Sequence, residues 1–193
     1  MRPLLVVWPH AAFFWPVFAW VFWPEWRIRM RARQLPKDQD AGSLRLIVAS
    51  GPLSLLLALG LLVFWPAATM AARWLFFALG VGALLAGGLL RRHCFRMLGT
   101  RFTGAVVVTP DQPVIERGAY HWIRHPGYSA GILIMAALGL ALGNWASLLT
   151  LVVFIVPVYL YRVVVEERAL STVLGGRYQE YMRRTKRFVP FVV

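Results

Sequence analysis

Apolar positions along this 193-residue chain fall in long blocks rather than at the period of a half-buried strand. Five blocks are long enough, or nearly so, to cross a bilayer: 3–23, 44–65, 70–90, 127–142 and 146–161. The second and third predict uninterrupted spans. The first contains Pro9 and Pro16, which remove helix hydrogen bonds, and so predicts a kinked helix. Gly143-Asn144-Trp145 separates the last two and predicts a tight helical hairpin with Trp145 at the lipid headgroups. A cleaved leader over 1–24 is not expected, because only Arg2 precedes the block, no small-residue cleavage site follows, and the block is too long.

Between the blocks the pattern predicts shorter elements. Residues 91–126 read as a helical continuation through Met97, an extended piece at Val106-Val107-Val108, and a turn-rich run to Gly118. Residues 162–184 read as a helix running on from the membrane, with Leu170, Leu174, Tyr178 and Tyr181 forming an apolar stripe. That stripe alone is also what a membrane-surface anchor would carry. Pro190 and Phe191 are expected to close the chain. No soluble domain boundary interrupts the pattern, so 1–193 reads as a single membrane domain.

Composition fixes the solvent. Apolar residues make up 59% of the chain, against roughly 45–50% in soluble domains. Charge then fixes the orientation. Nineteen basic residues fall in three segments, 27–45, 91–124 and 162–187, against Arg2 and Arg73 elsewhere. The positive-inside rule therefore puts the N-terminus outside and the C-terminus in the cytoplasm. The expected fold is an all-α integral membrane bundle of five transmembrane helices. All eight acidic residues lie in or beside those basic segments, so the polar chemistry is expected at the cytoplasmic face. The net charge of +13 is what topology and anionic headgroups demand, and no nucleic-acid partner is expected. Cys94, the single cysteine, excludes an internal disulfide and reads as a loop thiol near the membrane surface, where palmitoylation is conceivable.

Several chemistries fall away. The four histidines are too few for a membrane di-iron centre. His121 and His125 have the spacing of a zinc pair, but no acidic partner completes it and Pro126 disfavours helix at His125, so no metal is expected. Gly80, Gly82, Gly87 and Gly88 lie inside the third block and read as close helix packing, not as a dinucleotide fingerprint. What remains is an Arg124-His125-Pro126 turn, hydroxyls at Tyr120 and Tyr128, and Arg162 one helical turn before Glu166-Glu167. Ionisable groups beside membrane segments are costly and so point to use. The plain alternative for Arg162 and Glu166 is an ion pair at a helix end.

The run Gly118-x-Tyr120-x-x-x-Arg124-His125-Pro126-x-Tyr128, then Arg162-x-x-x-Glu166-Glu167-x-x-Leu170, Gly175-x-x-Tyr178-x-x-Tyr181 and Arg187-x-x-Pro190 resembles the isoprenylcysteine carboxyl methyltransferase family. The likeness covers residues 112–191 in the family's order. It departs at Ala130, where the family has glycine; Gly131 follows, so a slight change of pocket shape is expected. The resemblance implies S-adenosyl-L-methionine in a cytoplasmic pocket formed by the loop before the fourth helix and the C-terminal helix, within about 112–128 and 162–191. Gln112, Pro113, Val114 and Ile115 would give backbone contacts and Tyr120 would line the pocket. His125, Pro126, Gly127 and Tyr128 would hold the amino-acid and sugar part. Glu166 would take a polar group of the cofactor, and Arg162 would face the methyl acceptor.

The acceptor implied is a lipophilic small molecule or membrane lipid: an isoprenylcysteine-type carboxylate, or a phenolic or other lipid hydroxyl. Arginine outnumbers lysine 19 to 2, as GC-rich bacterial coding gives, so a bacterial inner (plasma) membrane is expected. The fourth block has 16 residues, about 24 Å of helix against a hydrocarbon core of ~30 Å. The Arg-His-Pro turn is therefore expected below the headgroups. Two further classes fit the apolar pattern: an NADPH-dependent sterol or enone reductase, and a non-enzymatic lipid-binding membrane protein. The oligomeric state is not encoded in any of these features.

Overall fold

The structure, a computed structural model, describes residues 3–32, 35 and 38–189. Arg2, Arg33, Lys37, Pro190 and Phe191, which entered the charge and motif readings above, lie outside the described residues. Six α-helices follow one another: α1 His10–Ala32, α2 Ser43–Phe64, α3 Arg73–Leu98, α4 Pro126–Leu142, α5 Trp145–Leu174 and α6 Gly176–Arg184. Among the described residues there are no strands, only two isolated bridges.

Three helices, α2, α3 and α5, are long and apolar enough to cross a membrane, and α4 is a shorter apolar helix. Their outer faces present Leu56, Phe64 and Leu149, all more than half exposed, as lipid contact requires and water would penalise. The first block differs from expectation. Pro9 precedes α1 instead of interrupting it, Pro16 and Pro24 lie inside, and the helix runs on to Ala32 through Glu25 and Arg27. It is the mixed polarity of that second half that keeps α1 out of the set of clear spans.

Helix α3 packs along α4, α2 along α5, and α4 against α5, with α1 on α3 at the periphery. Small residues set the spacing. A Cβ on Gly80 would lie 2.6 Å from Ala141 N, and one on Gly87 2.8 Å from the Ile134 side chain. Gly88 faces Val21 and Trp20 of α1 in the same way, whereas Gly82 meets nothing within 4 Å. So close packing explains three of these four glycines. Ala130 is buried, with its carbonyl close to Gly87, in the α3–α4 contact. The departure from the family pattern therefore touches helix packing and not the pocket wall.

The predicted hairpin forms. Gly143 takes a left-handed φ of 68°, the conformation for which glycine is suited at a helix end. Asn144 Oδ1 then caps α5 by accepting from Ser147 N at 3.0 Å, and its Nδ2 donates to Trp65 O at 3.2 Å. At the opposite end of the bundle, residues 162–184 are two helices and not one. Gly175, at φ 58°, breaks the run and turns α6 back. The expected helical continuation through Met97 forms, with α3 reaching Leu98, and it corrects the placement of Cys94: the thiol is buried within that helix and is not on a loop. Burial removes it as an acylation site.

Candidate functional site

Residues 118–128 form a 3-10 turn, Gly118–His121, followed by the start of α4. Pro126 occupies the first turn of α4, where its missing N–H costs nothing and its fixed φ suits the helix. The strand-like approach is held by the chain's C-terminal segment. Arg124 N donates to Lys186 O at 2.7 Å, His125 N to Arg187 O at 3.0 Å, and Lys186 N to Trp122 O at 3.3 Å. Ser129 Oγ adds a bond to Phe188 O at 2.7 Å. From α3, Arg91 Nη1 donates to Gly127 O at 2.6 Å while its Nε reaches Glu25 at 2.5 Å. Two remote segments, the 186–188 stretch and α3, the latter braced by Glu25 of α1, therefore fix one short turn.

Glu166 and Glu167 are adjacent but point about 100° apart on α5, as helix geometry dictates. Buried Glu167 faces the turn. Its Oε1 accepts from Arg124 Nε at 3.0 Å and lies 3.2 Å from His125 Nε2, and its Oε2 accepts from Arg187 Nη2 at 2.8 Å. Arg124 Nη1 also donates to the carbonyls of Met182, in the last turn of α6, and Thr185, just past it. Glu167 is thus the structural carboxylate, joining α4, α5 and the C-terminal segment.

Glu166 faces the other way. Its Oε2 accepts from Tyr128 Oη at 2.7 Å, and Oε1 has no partner among the described residues. Tyr128 Oη in turn accepts from Arg162 Nε at 3.1 Å. One phenol therefore connects Arg162 and Glu166, the pair that the sequence put on a single helix face. Arg162 uses its other donors inward: Nη1 on Asp40 Oδ1 and on Ser43 Oγ at 2.7 Å, Nη2 on Gly104 O at 2.8 Å. Of the five N–H groups of a guanidinium, these bonds leave one on Nη2.

Asp40 was not singled out by its sequence context, yet it holds this corner together. Its Oδ2 accepts from Leu44 N at 2.8 Å, closing the start of α2, and its Oδ1 accepts from Val106 N at 3.0 Å. Burial alone would raise the Asp40 carboxyl, but the Leu44 and Val106 N–H groups and then Arg162 outweigh it and hold the group below the usual carboxylate range. Next to it, Gln39 Oε1 accepts from Val108 N at 2.8 Å. The side chains of residues 39 and 40 thereby supply the bonds that a neighbouring strand would give the extended piece 106–108. Val106 and Val108 bury their side chains against Val165, Leu174, Tyr178 and Tyr181, so the expected apolar stripe of residues 170–181 packs on the protein.

Between these parts lies a cavity whose free space, mouth included, is about 930 Å³. Gln112, Pro113, Val114, Ile115, Tyr120, His125, Gly127, Tyr128, Arg162 and Glu166 line it. Pro126 does not; it is buried beneath as the first turn of α4. Leu170, Phe102 and Val106–Val108 complete the apolar wall. Burial, then Cys94 and Glu166, push the Tyr120 phenol well above its usual range, so it stays neutral. His121, the possible zinc partner of His125, is exposed. Among the described residues no three potential ligands come together around a metal position.

A membrane-type helical bundle carrying at one end an open-mouthed pocket with an apolar wall and a few polar side chains, built from a pre-helical turn and a long C-terminal helix, is the class of protein defined here. A family profile described as the isoprenylcysteine carboxyl methyltransferase (ICMT) family matches residues 78–172. The chain is 26% identical over 133 residues to protein-S-isoprenylcysteine O-methyltransferase B of Arabidopsis thaliana, covering 68% of this chain and 66% of that one. It is 25% identical over 114 residues to the protein-S-isoprenylcysteine O-methyltransferase of Schizosaccharomyces pombe, covering 58% and 48%. The matches thus span about half to two thirds of these relatives' length. Among solved structures, the eukaryotic intramembrane Ras methyltransferase ICMT superimposes with a TM-score of 0.69 at 18% identity, over 97% of this chain and 70% of that one. That likeness concerns the fold. In sequence the chain is thus similar to the isoprenylcysteine carboxyl methyltransferase family.

Proposed function

We propose that this protein is an S-adenosyl-L-methionine-dependent methyltransferase acting on a lipophilic acceptor at the cytoplasmic face of the membrane. The observation that carries the reading is the Arg162–Tyr128–Glu166 chain at the wall of a single cavity. It brings the two motif-bearing stretches, 124–128 and 162–167, to one ligand-sized space. The names of the relatives support the same reaction class.

The residues fit the cofactor. A carboxylate oxygen of Glu166 without a partner among the described residues suits an ammonium or ribose hydroxyl, and the neutral phenol of Tyr120 offers a ring face and a hydroxyl. The backbone of 112–115 supplies further polar groups beside the apolar wall. When bound, the cofactor provides an electrophilic methyl on a sulfonium. The protein's part is to hold donor and acceptor aligned and to exclude water, the effects that dominate an in-line displacement. His125, Gly127 and Tyr128 would hold the amino-acid and sugar part. Arg162 would present its remaining Nη2–H to an acceptor oxygen, carboxylate or hydroxyl, without giving up Asp40, Ser43, Gly104 or Tyr128. A bidentate grip on a carboxylate would require one of those bonds to open.

We further read α1 and α4 as membrane-embedded alongside α2, α3 and α5, with the N-terminus outside and the cavity on the basic, cytoplasmic side of an inner or plasma membrane. Helix α4 has 17 residues, about 26 Å, which supports a cavity recessed below the headgroups and open to acceptors dissolved in the lipid. Incubating membranes that contain the protein with methyl-labelled S-adenosylmethionine should place label in an organic-extractable product. Label absent with wild type, or equal with Arg162→Ala, would refute the assignment.

A further inference from the structure

Outside the cavity, α1 and α3 diverge around a second groove lined by Trp23, Arg27, Arg92, Phe95, Arg96 and Phe102. Its charge is uncompensated. Among the described residues, none of Arg27, Arg92 and Arg96 is in an ion pair. The nearest carboxylate along α1, Glu25, is committed to Arg91 through bonds of 2.5 and 3.0 Å. Arg92 and Arg96 stand four apart on α3 and so share a face, and Arg27 faces them from α1.

Arg92 is held in place at the groove by α1. Its guanidinium stacks over Trp20 at 4.0 Å from the ring centroid, and Nη2 donates to Trp20 O at 2.6 Å. These contacts fix the fork, yet the Nε–H is buried with no acceptor among the described residues. Trp23, 61% exposed, and Trp26, 57% exposed, stand beside the groove on α1, as aromatic side chains do at a headgroup boundary. The groove thus combines three cations and an aromatic rim, at the edge of a helix pair read as lying in lipid.

We propose that this groove is a binding site for the phosphate headgroup of an anionic phospholipid. The phosphodiester oxygens would accept from Arg92 and lie between Arg27 and Arg96, and the acyl chains would run along the apolar α1–α3 seam. A phosphate suits the site better than a carboxylate because three guanidinium groups line it and a phosphate offers more acceptor oxygens to share among them. The site is separate from the methyl-transfer cavity, although Phe102 forms part of both walls.

The test is lipid retention by detergent-purified protein, read by native mass spectrometry during titration with phosphatidylglycerol or phosphatidylcholine. Arg27→Gln with Arg96→Gln removes two exposed groove charges and leaves the Arg92 packing intact. Arg45→Gln with Arg168→Gln removes the same charge elsewhere on the basic face. Wild type and the 45/168 control should retain one phosphatidylglycerol in preference to phosphatidylcholine, and the 27/96 variant should bind it roughly 30-fold more weakly. Excess inorganic phosphate should compete poorly, because it lacks the chains. The proposal is overturned by equal retention of the two lipids, by equal loss in both double variants, or by full competition from inorganic phosphate, which would make the groove a site for the free anion. Should the 27/96 variant lose its thermal transition, Arg92→Lys, which keeps the charge and removes the fork, is read in its place, with selectivity expected to fall.

Discussion

Arg162 and Asp40, 122 residues apart in sequence and each only 2% exposed, form a buried ion pair that ties the start of α2 to the middle of the cavity wall. The pair explains how a guanidinium can stand beside a lipid-embedded helix and still reach a ligand. Its charge is met from below by Asp40, its shape is fixed by Ser43 and Gly104, and one edge meets Tyr128.

Removing one partner leaves the other charge buried and unmet, which typically costs about 3–5 kcal/mol. Asp40→Asn should therefore lower unfolding stability by that order in mixed micelles. It should also loosen Arg162 and depress methyl transfer. A variant as stable as the wild type would show that the pair is not supporting the fold.

The same pair gives a pH dependence with a defined sign. Because the Asp40 carboxyl is held below its ordinary value of 3.8 in the folded protein, its contribution is fully present above that value. It is lost as pH falls through the depressed folded value. The stability gap between wild type and Asp40→Asn should thus be constant near neutrality and shrink on acidification below the ordinary value. A gap that widens in acid would contradict the assignment.

Glu166 and Glu167 should separate experimentally. Glu166→Ala removes a carboxylate from the cavity but no inter-segment bond other than the one from Tyr128. It should weaken cofactor binding by roughly 10- to 100-fold, the worth of a charge-assisted hydrogen bond, with little loss of stability. Glu167→Ala strips Arg124, His125 and Arg187 of their common acceptor and should unfold the C-terminal clamp. Isothermal titration with S-adenosylhomocysteine, together with thermal melts, distinguishes the two; identical phenotypes would refute the division.

Helix packing gives a paired prediction in α3. Gly80→Ala puts a methyl against the α4 backbone at 2.6 Å and should cost about 1–3 kcal/mol. Gly82→Ala meets open space and should gain about 0.5–1 kcal/mol by removing glycine's conformational entropy. Equal effects in an unfolding titration would mean that the close α3–α4 approach is not what fixes glycine at position 80.

Elements whose information is local were readable in the sequence. The apolar blocks gave α2 and α3 to within a few residues in their membrane parts, and Gly143-Asn144 marked the hairpin because glycine and a capping amide act over a single turn. The meeting of residues 124–128 with 162–167 was legible through the family resemblance. Asp40 was not, since its partner lies in a distant helix and no spacing records it. The one local signal is a carboxylate just before an apolar run, the mark of a helix start. The Gly175 break was equally missed, because an apolar stripe continues across it on both sides. The helical continuation through Met97 was legible and α3 reaches Leu98, but that the helix turns the Cys94 thiol inward depends on packing that no local pattern records.

The most direct measurement of the central claim is the melting of detergent-purified protein with S-adenosylhomocysteine or NADPH, each at about 100 times the dissociation constant expected for a bound cofactor. Saturation of a single site at that level adds ~2.7 kcal/mol of stability. Stabilisation by S-adenosylhomocysteine, absent with NADPH and reduced in Glu166→Ala, is the predicted result. Stabilisation by NADPH alone, or by neither compound, would contradict the methyltransferase assignment.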